Sequence, residues 1–535
     1  MKRFFNMLFI LFMFPLLVGA KSVETSQFGY GGAYNDLFNS VEKTEDGGYI
    51  VVGSTKSKKI NEVSTGVGNG LVVKYDKEGN VVWSKYYGGN GHEEFYDVTV
   101  VIDGYVAVGY TASTDIDGLN NSGANDGLVV KFDKEGNVVW KCLIGGSGDD
   151  YIHAVKETDD GNLIVVGRFA SSIGEHTNNG GLDGFIGMVS SDGELIDSNL
   201  YGGDQDEAFY DLEIAHNGIY VVGYSKSDIS NHTNIGLQDA VMVRFDEDLV
   251  DEWEVFYGNT KGDMYRSIKS TIDGGFIVAG FDTNSKNDPS IPLNSNGVLI
   301  KYDKNGGIEW SKVYGGASTD SFEKVEVMKN GDYVVVGKGY SADIEGVTNN
   351  GDQEGFIVLY NSKGELLWHE WIGGTSLDIL TDVSILDNNE FVAVGYVHSS
   401  KVEGITHKGG ADGIVVNGKL HYVITELPTS NGTFDATEEN EMGKIEVSPD
   451  EDYRLDKIVV KDTTGRTVPF NEGNGKYYFE LYDDVSVEVL FGLSEVENPN
   501  TGDNMLPYMF VLLGLIFVTF LVVKQMRRII KRYEI

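Results

Sequence analysis

Residues 142–155 read CLIGGSGDDYIHAV. Asp149 and Asp150 follow a glycine turn, Tyr151 stands beside them, and His153 lies three residues past Asp150. Adjacent carboxylates and an imidazole are the residue types of an acid/base pair or of half a metal site. The same composition also makes a merely acidic turn. Elsewhere, Asp115, Asp117, Asn120 and Asn125 offer hard oxygen ligands for Ca²⁺ within one loop, without the spacing or terminal Glu of an EF-hand. His176 and His232 stand in the related stretches EHTNNG and NHTNIG, and lack a third ligand for zinc. No G-x-S-x-G elbow, H-E-x-x-H pair or phosphate-cradling glycine loop occurs, so no catalytic residue is assigned and the chain is not expected to be an enzyme.

The opening stretch is not unique. Its first glycine, Gly145, belongs to a series: Gly31, Gly88, Gly145, Gly202, Gly258, Gly315 and Gly373, at intervals of 57, 57, 57, 56, 57 and 58 residues. Trp83, Trp140, Trp253, Trp310 and Trp368 keep the same beat, with Asp197 the exception. A third series, each glycine closing an apolar run, falls at Gly53, Gly109, Gly167, Gly223, Gly280, Gly337 and Gly395. Three phases in register define seven units. Each unit holds four strand-like pieces; in the second they are YDVTVVI, YVAVGYT, GLVVKFD and NVVWKCLI. Runs such as Ile50-Val51-Val52 do not alternate, so that strand is buried on both faces. Four antiparallel strands repeated seven times predict an all-β, seven-bladed β-propeller over residues 21–420. The last unit stops after its third strand, and SVETSQFGY (22–30) aligns with the missing fourth; KLHYVIT is the alternative. The units also resemble the bacterial β-propeller repeat family called SBBP, through GGSGDDY…DDGNLIVVG and its copies. That resemblance implies the fold and says little about function.

Five residues after each first glycine stands a carboxylate: Asp36, Glu93, Asp150, Glu207, Asp263, Asp320 and Asp378. A reaction centre needs one constellation of different groups, so a position filled seven times points first to the fold, with the carboxylate taking backbone N–H bonds at a turn. The functional alternative is a negative field at the channel mouth, on the rim of the long loops 113–125 and 341–353, suited to Ca²⁺ or a cationic partner. Asp149 and His153 are not repeated, and no special chemistry is expected of them.

The ends carry their own signals. Residues 1–20 hold Lys2 and Arg3, an apolar run and Val18-Gly19-Ala20, the pattern of a signal peptide cut after Ala20. Residues 505–523 are nearly all apolar and long enough to span a bilayer as one helix, and Lys524, Arg527, Arg528, Lys531 and Arg532 mark the tail 524–535 as cytoplasmic. Within the linker 493–504 stand Asn498, Pro499, Asn500, Thr501 and Gly502. Motif, span and basic tail together resemble the sorting signal of Gram-positive surface proteins, in the NPxTG form rather than the usual Leu-first form. The resemblance implies that a sortase cuts between Thr501 and Gly502 and joins the chain to peptidoglycan. With 42 Lys+Arg against 82 Asp+Glu, the formal charge is −40, which excludes nucleic acid or anionic lipid as charge-driven partners. The single cysteine, Cys142, excludes internal disulfides and reads as an inert core residue.

Residues 421–492 lose the beat and read as a small all-β, sandwich-like module. They resemble the bacterial repeat modules of surface proteins through Ser448, Pro449, Tyr453, Leu455, Asp456, Ile458, Val460, Asp462 and Gly465, then Val485, Val487, Val489 and Phe491. Such modules usually serve as spacers. The combined expectation is a monomeric surface propeller that binds a glycan or protein. The alternatives are an extracellular carbohydrate-active enzyme using rim carboxylates and a structural scaffold.

Overall fold

The computed structural model describes residues 22–493 apart from 58, 61–62, 65–67, 117, 217, 231, 284–293, 388, 440–441 and 474. The leader 1–20, the sorting motif Asn498–Gly502, the span 505–523 and the tail 524–535 lie outside the described residues. Among the described residues every regular element is a strand, and no helix is long and apolar enough to cross a membrane.

Each repeat folds as an antiparallel four-stranded sheet. In the second, Glu93–Val101, Gly104–Thr111, Asp126–Asp133 and Val138–Ile144 pair in sequence order. The two middle strands are buried on both faces, while the fourth keeps Val138 and Val139 in solvent. The last hairpin turns on Gly136, whose φ of 77° is left-handed and costs a residue without Cβ least. Asp133 fixes the same turn by accepting the N–H groups of Glu135 and Asn137 at 3.1 and 2.7 Å.

Among the described residues the repeats form seven such sheets, and their first strands lie side by side around a ring, like blades of a propeller. Aliphatic layers fill the gaps between neighbours: Ile50, Val52 and Val72 of the first sheet meet Val98, Ala107, Leu128 and Val130 of the second. Each fully buried side chain of this size contributes about 1.5–3 kcal/mol. The tryptophan beat belongs to these seams. Trp140 donates its indole N–H to Ser191 O at 2.8 Å, and its ring covers Gly193, the left-handed residue of the next sheet's last hairpin. Trp83 repeats the contact one sheet earlier, on Lys134 O and Gly136. In the sheet that carries Asp197, the Asn199 amide donates to Leu249 O instead.

The seventh sheet joins the two ends of the ring. Ser22–Tyr30 pairs antiparallel with Asp412–His421 over nine residue pairs, from Ser22↔His421 to Tyr30↔Gly413. The N-terminal segment therefore supplies the fourth strand. The alternative, KLHYVIT, is divided: Lys419–His421 ends the third strand, and Ile424–Glu426 belongs to a different sheet.

The chain forms two compact units, one comprising residues up to Val423 together with Leu481–Asp484 and the other Ile424–Glu480 with the residues from Val485. The second unit holds two sheets. In one, Val485–Leu493 lies between Ile424–Glu426, to which it is parallel, and antiparallel Tyr453–Asp462. The other orders Gly432–Glu439, Met442–Pro449, Lys476–Glu480 and Phe470–Gly473. Val485, Val487, Val489 and Phe491 alternate inward, as their spacing predicts.

Candidate functional site

The seven repeated carboxylates are all fully buried. Each caps the turn that precedes it. Asp150 accepts the N–H of Gly146 at 2.8 Å, and those of Ala170 and Ser171 at 2.9 and 3.0 Å. Asp36, Glu93, Glu207, Asp263, Asp320 and Asp378 likewise take the N–H of the residue four earlier, at 2.6–3.0 Å. Hydroxyls often complete the set, as when Ser399 donates to Asp378 at 2.5 Å. The geometry is that of a latch tying the first strand to the end of the second. These carboxylates are turned into the seams and meet no solvent.

The first glycine of each unit finds its reason at the same place. A second polar series, Asp412, Asn69, Asp126, Asp183, Asp239, Asn296 and Glu354, faces it from the start of the third strands. A Cβ on Gly145 would fall 2.8 Å from an oxygen of Asp126 and 2.8 Å from one of Asp150. Burial, and then Asp150 nearby, raise the Asp126 carboxyl; burial and then Glu207 do the same for Asp183. In the fifth unit burial pushes Asp263 up to about 7, with the neighbouring Asp282 carboxyl adding to the shift.

Of the weaker Ca²⁺ candidates, three fall among the described residues. Asp115 accepts the Gly118 N–H at 3.0 Å, Asn120 is exposed, and Asn125 donates to Asp149 and the Tyr151 hydroxyl at 2.8 and 2.9 Å. Asp117 lies outside the described residues. Among the described residues no three His, Cys, Asp or Glu side chains form a metal-binding group. His232 Nε2 donates to the Asp239 carboxylate at 2.8 Å and its ring stacks on Phe256, a packing role. Cys142 is half-buried, and burial pushes its thiol up to about 12.

The site with unsatisfied chemistry lies at the middle of the ring and grows from the third glycine series. A Cβ on Gly167 would stand 1.9 Å from the Tyr151 carbonyl oxygen, so only glycine lets the first and second strands approach this closely. At that point every first strand carries a bulge, with the register skipping one residue just after the glycine's partner. The skipped residues are Asn39, Tyr96, His153, Tyr210, Arg266, Glu323 and Thr381. All seven line one cavity of about 410 Å³. The sevenfold backbone device thus presents seven side chains of which only the tyrosine recurs.

The two sides of this cavity differ. On one, Asn39 donates to Glu94 and to Phe95 O at 2.9 and 2.8 Å, and Thr381 donates to Phe38 O at 3.0 Å. Glu323 accepts from Ser321 and lies 3.0 Å from Lys338 and 3.8 Å from Arg266; burial opposes its charge, but the two cations hold its carboxyl below the usual range. On the other side three buried nitrogens lack a hydrogen bond among the described residues. His153 Nε2, Arg168 Nε and Arg266 Nε are buried without hydrogen bonds. The Arg168 guanidinium lies 4.8 Å above the Tyr151 ring and that of Arg266 4.4 Å above Tyr210. His153 packs between Tyr96 and Tyr210, at 5.2 and 4.9 Å between ring centres. Burial, then Arg168 and Arg266, hold its pKa well below the ordinary value, so the imidazole is neutral.

Next to this layer, ion pairs line a second cavity of about 260 Å³: Lys324 with Asp211 at 3.1 Å, and Lys269 with Glu326 at 2.7 Å. Asp97 and Asp382 each accept a backbone N–H from the next sheet's first strand, at Val155 and Val41. Burial pushes Asp382 up to about 6 and Glu42 up to about 7. Sequence reasoning missed the axial residues, because non-repeated side chains carry no periodic signal. The position that finds them is three residues after each repeated carboxylate.

No family model matches the chain. It is 26% identical over 121 residues to an uncharacterized WD repeat-containing protein of Acanthamoeba polyphaga mimivirus, covering 21% of this chain and 9% of that protein. It is 24% identical over 173 residues to the regulatory protein FlaEY of Caulobacter vibrioides, covering 29% and 18%. The chain thus spans less than a fifth of the length of these curated relatives. Similar solved structures include the Neurospora crassa Pan2 WD40 domain (10% identity, 71% of this chain, 88% of that one, TM-score 0.40). PorZ, an essential bacterial surface component of the type-IX secretion system of Porphyromonas gingivalis, gives 11%, 86%, 60% and 0.38. The plexin A4 extracellular region gives 8%, 84%, 57% and 0.39.

Proposed function

We propose that this chain is a seven-bladed propeller anchored at the cell surface, and that it binds a glycan at the axial mouth beside its long loops. The observation that carries the reading is the division of labour between two positions three residues apart. The seam carboxylates are the same in kind seven times over. The bulge residues beside them are His153, Arg266, Glu323, two tyrosines, Asn39 and Thr381, all aimed at one cavity. A fold requirement keeps a repeat uniform, whereas a ligand needs different groups at different azimuths. Tyr96 and Tyr210 offer aromatic faces and hydroxyl groups, the combination that suits a polyhydroxylated ring.

The remaining parts of the reading rest on the sequence: a leader ending at Ala20, an SBBP-like propeller, a spacer module, and an NPxTG signal at Asn498–Gly502 directing sortase attachment to peptidoglycan. The protein should bind members of a glycan array in the absence of Ca²⁺, and Tyr210→Ala should abolish that binding without altering the thermal midpoint. A silent array, or binding indifferent to Tyr210, refutes the axial reading. A second reading, carbohydrate hydrolysis, is favoured by the Asp382 carboxyl held near 6 beneath the cavity. Release of reducing ends from a bound polysaccharide, lost in Asp382→Asn, would establish it in place of binding alone.

A further inference from the structure

We propose that the axial cavity takes its ligand through a carboxylate, as an acidic sugar residue, with Arg168 as the principal counter-ion and Arg266 as the second. The inference rests on the axial mouth being the ligand site and specifies what that site selects.

The Arg168 side chain has no hydrogen-bond or ion-pair partner among the described residues, in a chain with nearly two acids for every base. Its charge is felt chiefly by an imidazole and by phenols: His153, Tyr151, Tyr96 and Tyr224. Arg168 is half-buried with its Nε shielded from solvent, and a protein so rich in carboxylates has left this guanidinium without a counter-charge at a cavity wall. The nearby acids are already engaged. Glu323 is held by Lys338, and Glu94 takes the Asn39 amide. The Arg168 guanidinium lies 4.8 Å over the Tyr151 ring, and its planar fork matches a carboxylate through two parallel bonds.

Arg266 repeats the arrangement on Tyr210 across His153, with only the 3.8 Å contact to Glu323 as competition. The neutral imidazole between them adds no further cation and leaves a nitrogen for a sugar hydroxyl. The overall charge of −40 does not forbid this, because at physiological salt charges beyond roughly 8 Å are largely screened. About 410 Å³ lies within the size range of small-ligand pockets.

The test is calorimetric titration of the purified protein with trigalacturonate, with its neutral counterpart trigalactose, and with inorganic sulfate. Trigalacturonate should bind at least tenfold more tightly than trigalactose, and sulfate should compete only weakly. Arg168→Gln should weaken trigalacturonate about 10- to 100-fold, the range for losing a hydrogen-bonded charge, and weaken trigalactose at least tenfold less. Arg168→Lys keeps the charge without the fork and should fall between the two; its thermal midpoint controls for folding. Equal affinity for the neutral sugar, or indifference to both substitutions, overturns the carboxylate assignment while leaving the axial glycan site standing. Tight sulfate binding equal to that of trigalacturonate overturns it in favour of a free oxyanion. Failure of both sugars to bind overturns the axial site as well.

Discussion

Asp263 offers a measurable consequence of the buried seams. Its carboxyl is fully buried and accepts the N–H of Asn259 and Thr283 at 2.7 and 3.2 Å. Burial, reinforced by Asp282, pushes it up to about 7. In the unfolded chain an Asp titrates near 3.9. The native state therefore binds more protons than the unfolded state between these values, so stability is fully present below about pH 4 and falls as pH rises through 7. The slope is about 1.4 kcal/mol per pH unit for one proton, which gives a loss of about 2 kcal/mol between pH 5 and 6.5 from this group. Asp263→Asn imitates the protonated carboxyl: the amide keeps one acceptor for the turn and a donor toward Asp282. The variant should match the wild type near pH 4–5 and exceed it by about 2–3 kcal/mol at pH 7. Urea unfolding followed by tryptophan fluorescence, in parallel from pH 4.5 to 7.5, reads the difference. Parallel profiles for the two proteins would refute the raised Asp263 carboxyl, and a wild type gaining stability with pH relative to the variant would reverse its sign.

Three further outcomes test the architecture. Gly223→Ala would put a Cβ 1.8 Å from the Ala208 carbonyl, so it should lower stability by about 3 kcal/mol or more, seen as a large drop in thermal midpoint. Gly118→Ala, with open space around it and φ of +85°, should cost only about 1–2 kcal/mol in the same measurement. Cys142, with its thiol at about 12, should resist an aromatic disulfide reagent at pH 8 in the native protein and react at once in denaturant. Removing residues 22–30 should leave Asp412–His421 as an open edge and produce oligomers by size-exclusion chromatography, with a synthetic peptide of the same nine residues restoring the monomer.

The sequence made the repeat legible because its punctuation is steric. Glycines sit where a Cβ would strike a carbonyl or a carboxylate, in every unit, and tryptophans where a ring covers the next hairpin, in five of the seven. The strand order, the seam role of the carboxylates and the origin of the fourth strand at Ser22–Tyr30 could all be read from such positions. The axial residues could not. Tyr96, His153 and Arg266 occupy equivalent backbone sites, but their identities answer to what enters the cavity rather than to the fold. His153 looked idle for that reason, although the bulge turns it to the axis. Arg168 was hidden differently: it directly follows a beat glycine, and only three-dimensional packing shows that no acid lies beside it.

The joint between Ser22–Tyr30 and Asp412–His421 also sets an order of events. The first of these strands to leave the ribosome has its edge partner almost 400 residues downstream, so the ring cannot shut until nearly the whole unit has been made. Because the loop-closure cost grows only as the logarithm of length, this long-range joint carries little more thermodynamic penalty than a short one. Its cost is in time. Until it forms, two strands of the same sheet wait with bare edges, one at each end of the growing chain. A holding factor that shields Ser22–Tyr30, or a slow prior assembly of the interior blades, would govern the yield of folded protein more than any single contact in the finished ring.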